Sequence, residues 1–287
     1  MIGQQANLTL IKRLLREGRL QHFIIIHGGK MSGKKAFASE IVKELGMSSA
    51  VLGDSIDAVR EMIDDCYKSQ HERAYLLYDL ETYNYRSLEA ILKISEEPPA
   101  FSYIIVTVNN LSFLKETVKN RAFIINIMPY SFAEMRAYIQ SRRGTYKLSE
   151  FGYQFINTPS LYNYYIVDRM LGKYKDFFRK FGDILTVTGS ESLKVSGDFN
   201  LKVNDNDKLD FGLFLDWLGV YLVLFAKSEG KNVSLLVSLL LRFKAQMRVN
   251  GVNMYALVNS FIIAFRLDCK KSCIQFGDFF ERLGNDL

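Results

Sequence analysis

Gly28, Gly33 and Lys34 stand at the spacing G-x-x-x-x-G-K within IIIHGGKMSGKKAFA, residues 24–38. Glycines in such a loop let the backbone take positive φ or approach phosphate oxygens closely, and the lysine ammonium rests on the phosphates. The chemistry on offer is therefore nucleotide binding. Hydrolysis needs more, because a working loop follows its lysine with Ser or Thr to hold Mg²⁺, and here that position is Lys35. A second ammonium there brings positive charge to the place of the metal. Met31 also sits where such a loop usually tolerates little but glycine. Carboxylates that serve the metal and the attacking water normally come from the end of a second strand. LLYDLE offers Asp79 and Glu81 there, with Tyr78 just before them. The combination reads as a phosphate cradle whose metal chemistry has decayed.

The elements that must position these residues alternate. FIIIH (23–27) is a short apolar run suited to a strand buried on both faces, and AYLLYD (74–79), YIIVTV (103–108) and AFIINI (122–127) complete the expected strand set. Between them, GKKAFASEIVKELG places Phe37, Ile41 and Leu45 at helical spacing and stops at Gly46. SIDAVREMIDDCYKS (55–69) offers Ser55 as a cap, with Ile56, Val59, Ile63 and Cys66 on one stripe. YRSLEAILKISEE (85–97) is a helix closed by Pro98 and Pro99. Strand–helix alternation predicts a parallel sheet sandwiched by helices. Beyond Pro129 the strand signals fade. Short helices are expected at 131–143, 148–156 and 160–171, and long ones at 207–228, 232–249 and 253–267, with a loop around a short helix at 187–208.

Composition sets outer bounds. The 287 residues are 48% hydrophobic and 24% charged, as in an ordinary globular protein, and the net charge of +6 is compatible with nucleic-acid contact without requiring it. Cys66, Cys269 and Cys273 read as plain thiols of a reducing compartment, the last two sharing a helix face. Residues 1–20 do not have the pattern of a secretory signal. The apolar stretches at 211–226 and 254–267, interrupted by Asp216 or by Asn259 and Arg266, read as too short to span a bilayer. A cytoplasmic protein without membrane contact is expected.

Three stretches together resemble the clamp-loader branch of the AAA+ ATPases, and within it the delta-prime subunits of the bacterial DNA polymerase III loader. IGQQANLTLIKRLLREGRLQHFIIIHGG is similar to the family's approach to its phosphate loop, LEAILKISEEPP to its NALLKTLEEPP, and TVKNRAFIINIMPYS to the segment around its SRC motif. Order and spacing agree over residues 1 to about 135. The fold this implies is α/β: an AAA+ P-loop domain with a parallel sheet (1–130), a small helical lid (131–172) and an all-α collar for oligomerisation (173–287).

The resemblance also assigns roles. It puts Tyr78 at the metal-site Asp, Asp79 at the catalytic Glu, Asn109 near the polar sensor, and Leu161 or Tyr162 of NTPSLYNY where active relatives carry a second sensor arginine. Gly28, Gly33, Lys34, Asp79 and Asn109 would then form a degenerate nucleotide site without intrinsic ATPase activity. Weakly bound ATP or ADP is the one cofactor it leaves open. Zinc is not expected, since only Cys66 falls where many relatives carry four cysteines. Arg121 matches the SRC arginine, which in the family is presented in trans, as an arginine finger, to ATP on an adjacent subunit. Implied partners are loader ATPase subunits, a sliding clamp and primed DNA held by its phosphate backbone; Arg86 is one exposed candidate for the DNA. Two other readings stay open: an active loader ATPase using Lys34 with Asp79, and an ATP-binding adaptor that loads a helicase rather than a clamp.

Overall fold

Four consecutive large apolar residues, Phe23 to Ile26, can all be buried only if both faces of their strand are covered. In the computed structural model, which describes residues 3–142, 146–186, 198–199, 208–247, 252–276 and 279, β1 (Phe23–His27) lies inside a five-stranded sheet. The order is β2-β3-β4-β1-β5, with β2 (Ser48–Leu52), β3 (Arg73–Leu77), β4 (Ser102–Val108) and β5 (Phe123–Asn126), and every pair is parallel. Alternate residues face opposite cores. Phe23, Ile25, Tyr75, Leu77, Ile104 and Val106 pack with α3 (Ile56–Lys68), α4 (Tyr85–Glu96) and α5 (Glu116–Lys119) through Val59, Met62, Ile91, Ile94 and Val118. Ile24, Ile26, Leu76 and Ile105 pack on the other side, against α1 (Gln5–Arg16) and α2 (Lys34–Leu45) through Leu8, Ile11, Phe37 and Ile41.

Local signals end these helices as their chemistry dictates. Gly33 and Gly46 flank α2 in left-handed conformation. Ser55 and Asn84 accept from the N–H groups of Ala58 and Ser87 at the starts of α3 and α4. Gln4, fully buried, binds Met128 twice, donating through Nε2 to its carbonyl (2.8 Å) and accepting its N–H (3.1 Å). The IGQ entry is thereby tied to the exit of β5.

β2 was not expected. Ser48–Leu52 is an edge strand, half open to solvent, so it carries neither a continuous apolar run nor a clean alternation. β3 starts one residue before the expected run and ends at Leu77, leaving Tyr78 and Asp79 beyond the ladder.

The chain divides into two compact units, Met1–Thr145 with Asn157–Leu161, and Tyr146–Ile156 with Tyr162–Leu287. Residues 131–172 therefore contribute α6 (Phe132–Ser141) to the first, while α7 (Glu150–Tyr153) and a π-helical turn (Asn163–Val167) belong to the second; α8 (Pro159–Tyr162) falls at the division. The second unit continues with α9 (Met170–Thr186), α10 (Phe211–Glu229), α11 (Ser234–Gln246) and α12 (Met254–Lys271). Its core is aromatic: Phe178, Phe214, Trp217 and Tyr221 are all buried, and the Trp217 Nε1–H donates to the Tyr165 hydroxyl at 2.8 Å. Most of the expected 187–208 loop lies outside the described residues.

Two expectations change here. Cys273 lies past the end of α12 with φ of 52°, so it does not share a helix face with the buried Cys269. α10 has 19 residues and is long and apolar enough to cross a membrane by length and composition. Half of that window is buried, and one such helix is weak evidence for a membrane span.

Candidate functional site: a self-filled cradle

In a parallel sheet the loops leaving the carboxyl ends of the strands converge, and ligands bind there. Gly28 follows β1, Tyr78 and Asp79 follow β3, and Asn109 follows β4, so topology brings them to one edge. Gly33, with φ of 93°, forms the N-cap of α2. Met31 takes φ of 57°, the glycine-like conformation that the sequence pattern called for at that position. A side chain on Gly28 would place its Cβ 2.6 Å from Ser32 Oγ and 3.1 Å from Ile127 Cβ.

Lys34 is held by its own chain. It is buried, and its Nζ donates to the Gly28 carbonyl (2.9 Å), the Gly29 carbonyl (2.7 Å) and Asn109 Oδ1 (2.9 Å). An ammonium has three donors and no more. All three are taken up by the glycine loop after β1 and by the asparagine after β4. Burial lowers the lysine's pKa below its ordinary value, while the Asp79 and Glu81 carboxylates pull it the other way.

Lys35 pairs with the carboxylate that follows β3. Its Nζ lies 2.5 Å from Asp79 Oδ2 and sits over the Tyr78 ring, 5.4 Å from the centroid. The Asp79 carboxylate is thus neutralised by the lysine that stands where the sequence pattern expects Ser or Thr. Asp79 is itself held in left-handed conformation (φ 53°), with its N–H donating to Thr107 Oγ1 at 2.8 Å. Tyr78, the residue after β3, brings its hydroxyl 3.3 Å from Ser39 Oγ.

Glu81, the other carboxylate that LLYDLE offers, has a different occupation. Its Oε1 accepts the N–H groups of Asn109 (2.5 Å) and Asn110 (2.9 Å), clamping the turn after β4. A metal-site carboxylate and a loop clamp look alike in sequence, since both need an acceptor at a strand end. The NTPSLYNY stretch reaches the cradle through a residue that sequence reasoning did not single out: Thr158 Oγ1 donates to the Met31 carbonyl at 2.8 Å. Among the described residues, no group of three or more His, Cys, Asp and Glu side chains is gathered as a metal site would need.

Arg121 stands apart from these groups. It precedes β5, whose Phe123 pairs with Ile24 at the amino end of β1, whereas the cradle follows His27. Four strand steps separate those levels, about 13 Å at 3.3 Å per residue. Arg121 is half exposed, and its Nη1 donates to Glu96 Oε1 at 2.6 Å. The site residues therefore fall into two groups, with Gly28, Gly33, Lys34, Asp79 and Asn109 at one edge of the sheet and Arg121 at the other.

Residues 52–131 match the family model described as DNA polymerase III, delta subunit. That span holds Asp79, Glu81, Glu96, Asn109 and Arg121 but not the cradle lysines. The chain is 21% identical over 158 residues to the DNA polymerase III subunit gamma of Buchnera aphidicola, an alignment covering 44% of each chain. It thus spans less than half the length of that curated relative. Among solved structures, a DNA polymerase III gamma subunit-related protein from Thermotoga maritima is similar over 91% of this chain and 98% of its own, at 15% identity and a TM-score of 0.47. The Thermotoga maritima RuvB Holliday junction branch migration motor is similar over 80% of this chain and 78% of its own, at 15% identity and a TM-score of 0.48. The family match and the curated relative are both to subunits of DNA polymerase III.

Proposed function

We propose that this chain is a delta-prime-like subunit of a sliding-clamp loader, one that does not hydrolyse ATP and completes a neighbouring subunit's ATP site in trans with Arg121. The observation that carries this reading is the saturation of Lys34, whose three donors are spent on Gly28, Gly29 and Asn109, together with Lys35 on Asp79. A nucleotide would have to strip the ammonium from three oxygens and Mg²⁺ would have to displace a second ammonium. Both steps cost an ammonium its present partners, which supports an intrinsic site that does not hydrolyse ATP.

Arg121 carries the remaining chemistry. Its place at the opposite edge from its own cradle suits service to another subunit, where a guanidinium neutralises charge on the transferring γ-phosphoryl group. The finer parts of the reading follow from it: a lid over 131–172, a collar over 173–287 that joins ATPase subunits, a cytoplasmic setting, and a sliding clamp and primed DNA as partners of the assembly. Backbone contact to DNA would be salt-dependent and indifferent to sequence.

The test is ATP turnover by the purified chain alone and in complex with the ATPase subunits of its loader, with clamp and primed DNA. The chain alone is expected to be silent. Arg121→Ala is expected to lower turnover of the assembly by roughly 10³-fold or more, the scale of arginine fingers supplied in trans. Turnover by the chain alone, or an assembly indifferent to Arg121→Ala, would sink the proposal.

A further inference from the structure

The EEPP stretch is the most specific motif in the chain, and nothing in the proposed function uses it. Its first residue, Glu96, is the last residue of α4 and lies 2.6 Å from Arg121 Nη1. A carboxylate at a helix C-terminus is poorly placed for the helix, because the macrodipole is negative there. Helix stability therefore does not explain Glu96. Its partner does: the guanidinium offsets both the carboxylate and the helix end.

The platform under the pair is firm. α4 stops at Pro98 and Pro99, which cannot continue it, and Ile91 and Ile94 of α4 share a buried core with Val118 of α5 and with Ala122. Arg121 is fixed between Val118 and Ala122, with its N–H donating to the Val118 carbonyl at 3.1 Å. Backbone and core thus set where the guanidinium starts, and the exposed carboxylate sets where it points. Both side chains are about half exposed, so an incoming anion can reach the pair.

We propose that Glu96 is a positioning residue for Arg121: its carboxylate stands in for the γ-phosphate, holding the guanidinium until a neighbouring subunit's nucleotide displaces it. The inference rests on the trans role proposed for Arg121. The carboxylate carries one negative charge and the nucleotide phosphate carries more, so exchange favours the nucleotide, and Glu96 lowers the assembly's affinity for ATP by competing. An exposed pair of this kind shifts an equilibrium by up to about fivefold.

Two measurements on the full-length chain test this. In the isolated chain, labelling of Arg121 by phenylglyoxal is followed by peptide mass spectrometry, with exposed Arg86 as internal standard. Glu96→Gln is expected to speed labelling of Arg121 up to about fivefold and leave Arg86 unchanged. In the loader assembly, affinity for a fluorescent ATP analogue and the KM and kcat for ATP are compared for wild type, Glu96→Gln, Arg121→Ala and the double variant. Glu96→Gln is expected to tighten binding and lower KM by up to about fivefold with kcat retained. The gain in affinity is expected to vanish in the Arg121→Ala background.

Unchanged labelling overturns the proposal, because the carboxylate then does not hold the guanidinium. A gain in affinity that persists without Arg121 overturns it too, since Glu96 would be acting through another group. Faster labelling in an assembly that ignores Arg121→Ala overturns it by a separate route, the failure of the trans reading itself. A lowered kcat with unchanged KM would assign Glu96 a merely structural part.

Discussion

The two edges of the sheet have met opposite fates. At the carboxyl edge the Lys34 ammonium is buried and donates to three oxygens of its own chain. At the amino edge the Arg121 guanidinium rests on the Glu96 carboxylate, half in water. Exposed pairs contribute little and exchange readily, whereas breaking a buried, fully hydrogen-bonded charge is costly. Two similar cationic side chains, Lys34 and Arg121, are thus locked and available respectively, and the difference lies in burial and partner count rather than in charge.

If Lys34 is now a structural post, its removal must cost stability before it costs anything else. Lys34→Met removes the ammonium from the Gly28 carbonyl and Asn109 Oδ1, and leaves the Gly29 carbonyl with the Ser32 N–H alone. We expect a loss of about 3 kcal/mol in urea-induced unfolding, from hydrogen bonds to a charged group worth roughly 1.5–3 kcal/mol each, less the relief of desolvation. A lysine waiting for phosphate would show the reverse, little change in stability. The pH dependence sharpens this. The folded pKa of Lys34 lies below its unfolded value of about 10.5, so the unfolded state binds more protons across that interval. Wild type should therefore gain stability relative to Lys34→Met as pH rises toward 10.5, and a falling difference would contradict the assigned burial.

The contrast between the edges was only partly legible in the sequence. Phe23–Ile26 and the Ser55 and Gly46 helix boundaries were readable because continuous burial and capping leave local marks. Strand β2 left none, since its residues are half in solvent and any loop could carry SSAVL. Met31 was readable as a misfit, and it does occupy a left-handed conformation. The pairing of Lys35 with Asp79 needed the third dimension, although the added positive charge at position 35 marked the place. Gln4, Thr158 and Glu96 were invisible as site residues because each acts on backbone or on a residue at least 25 positions away.

Glu81 sits next on the scale of expected effects. It accepts two N–H groups at the turn that presents Asn109 to Lys34, so it shapes the cradle without touching the ammonium. Glu81→Ala should cost about 2 kcal/mol in denaturant unfolding, the range for hydrogen bonds to a charged acceptor that leave their donors near water. Asn109 and Asn110 should also lose amide hydrogen-exchange protection. If Glu81 were instead a metal ligand, its removal would relieve repulsion in the metal-free chain and raise stability.

The smallest effect is the most discriminating. Lys35 and Asp79 form a pair that is 55% and 30% exposed at the side chain, which limits its contribution to about 0.5–1 kcal/mol in Lys35→Ala. Lys35→Thr restores the hydroxyl a metal would need and removes the competing ammonium, yet Lys34 still spends its three donors on the loop. Binding of Mg²⁺–ATP by the isolated Lys35→Thr chain should therefore stay undetectable by calorimetry, while stability falls only slightly. Tight binding after that one substitution would show that Lys35 alone had closed the site. The saturation of Lys34 would then be a consequence of emptiness rather than its cause, and the two edges of the sheet would differ by one residue instead of by design of the whole cradle.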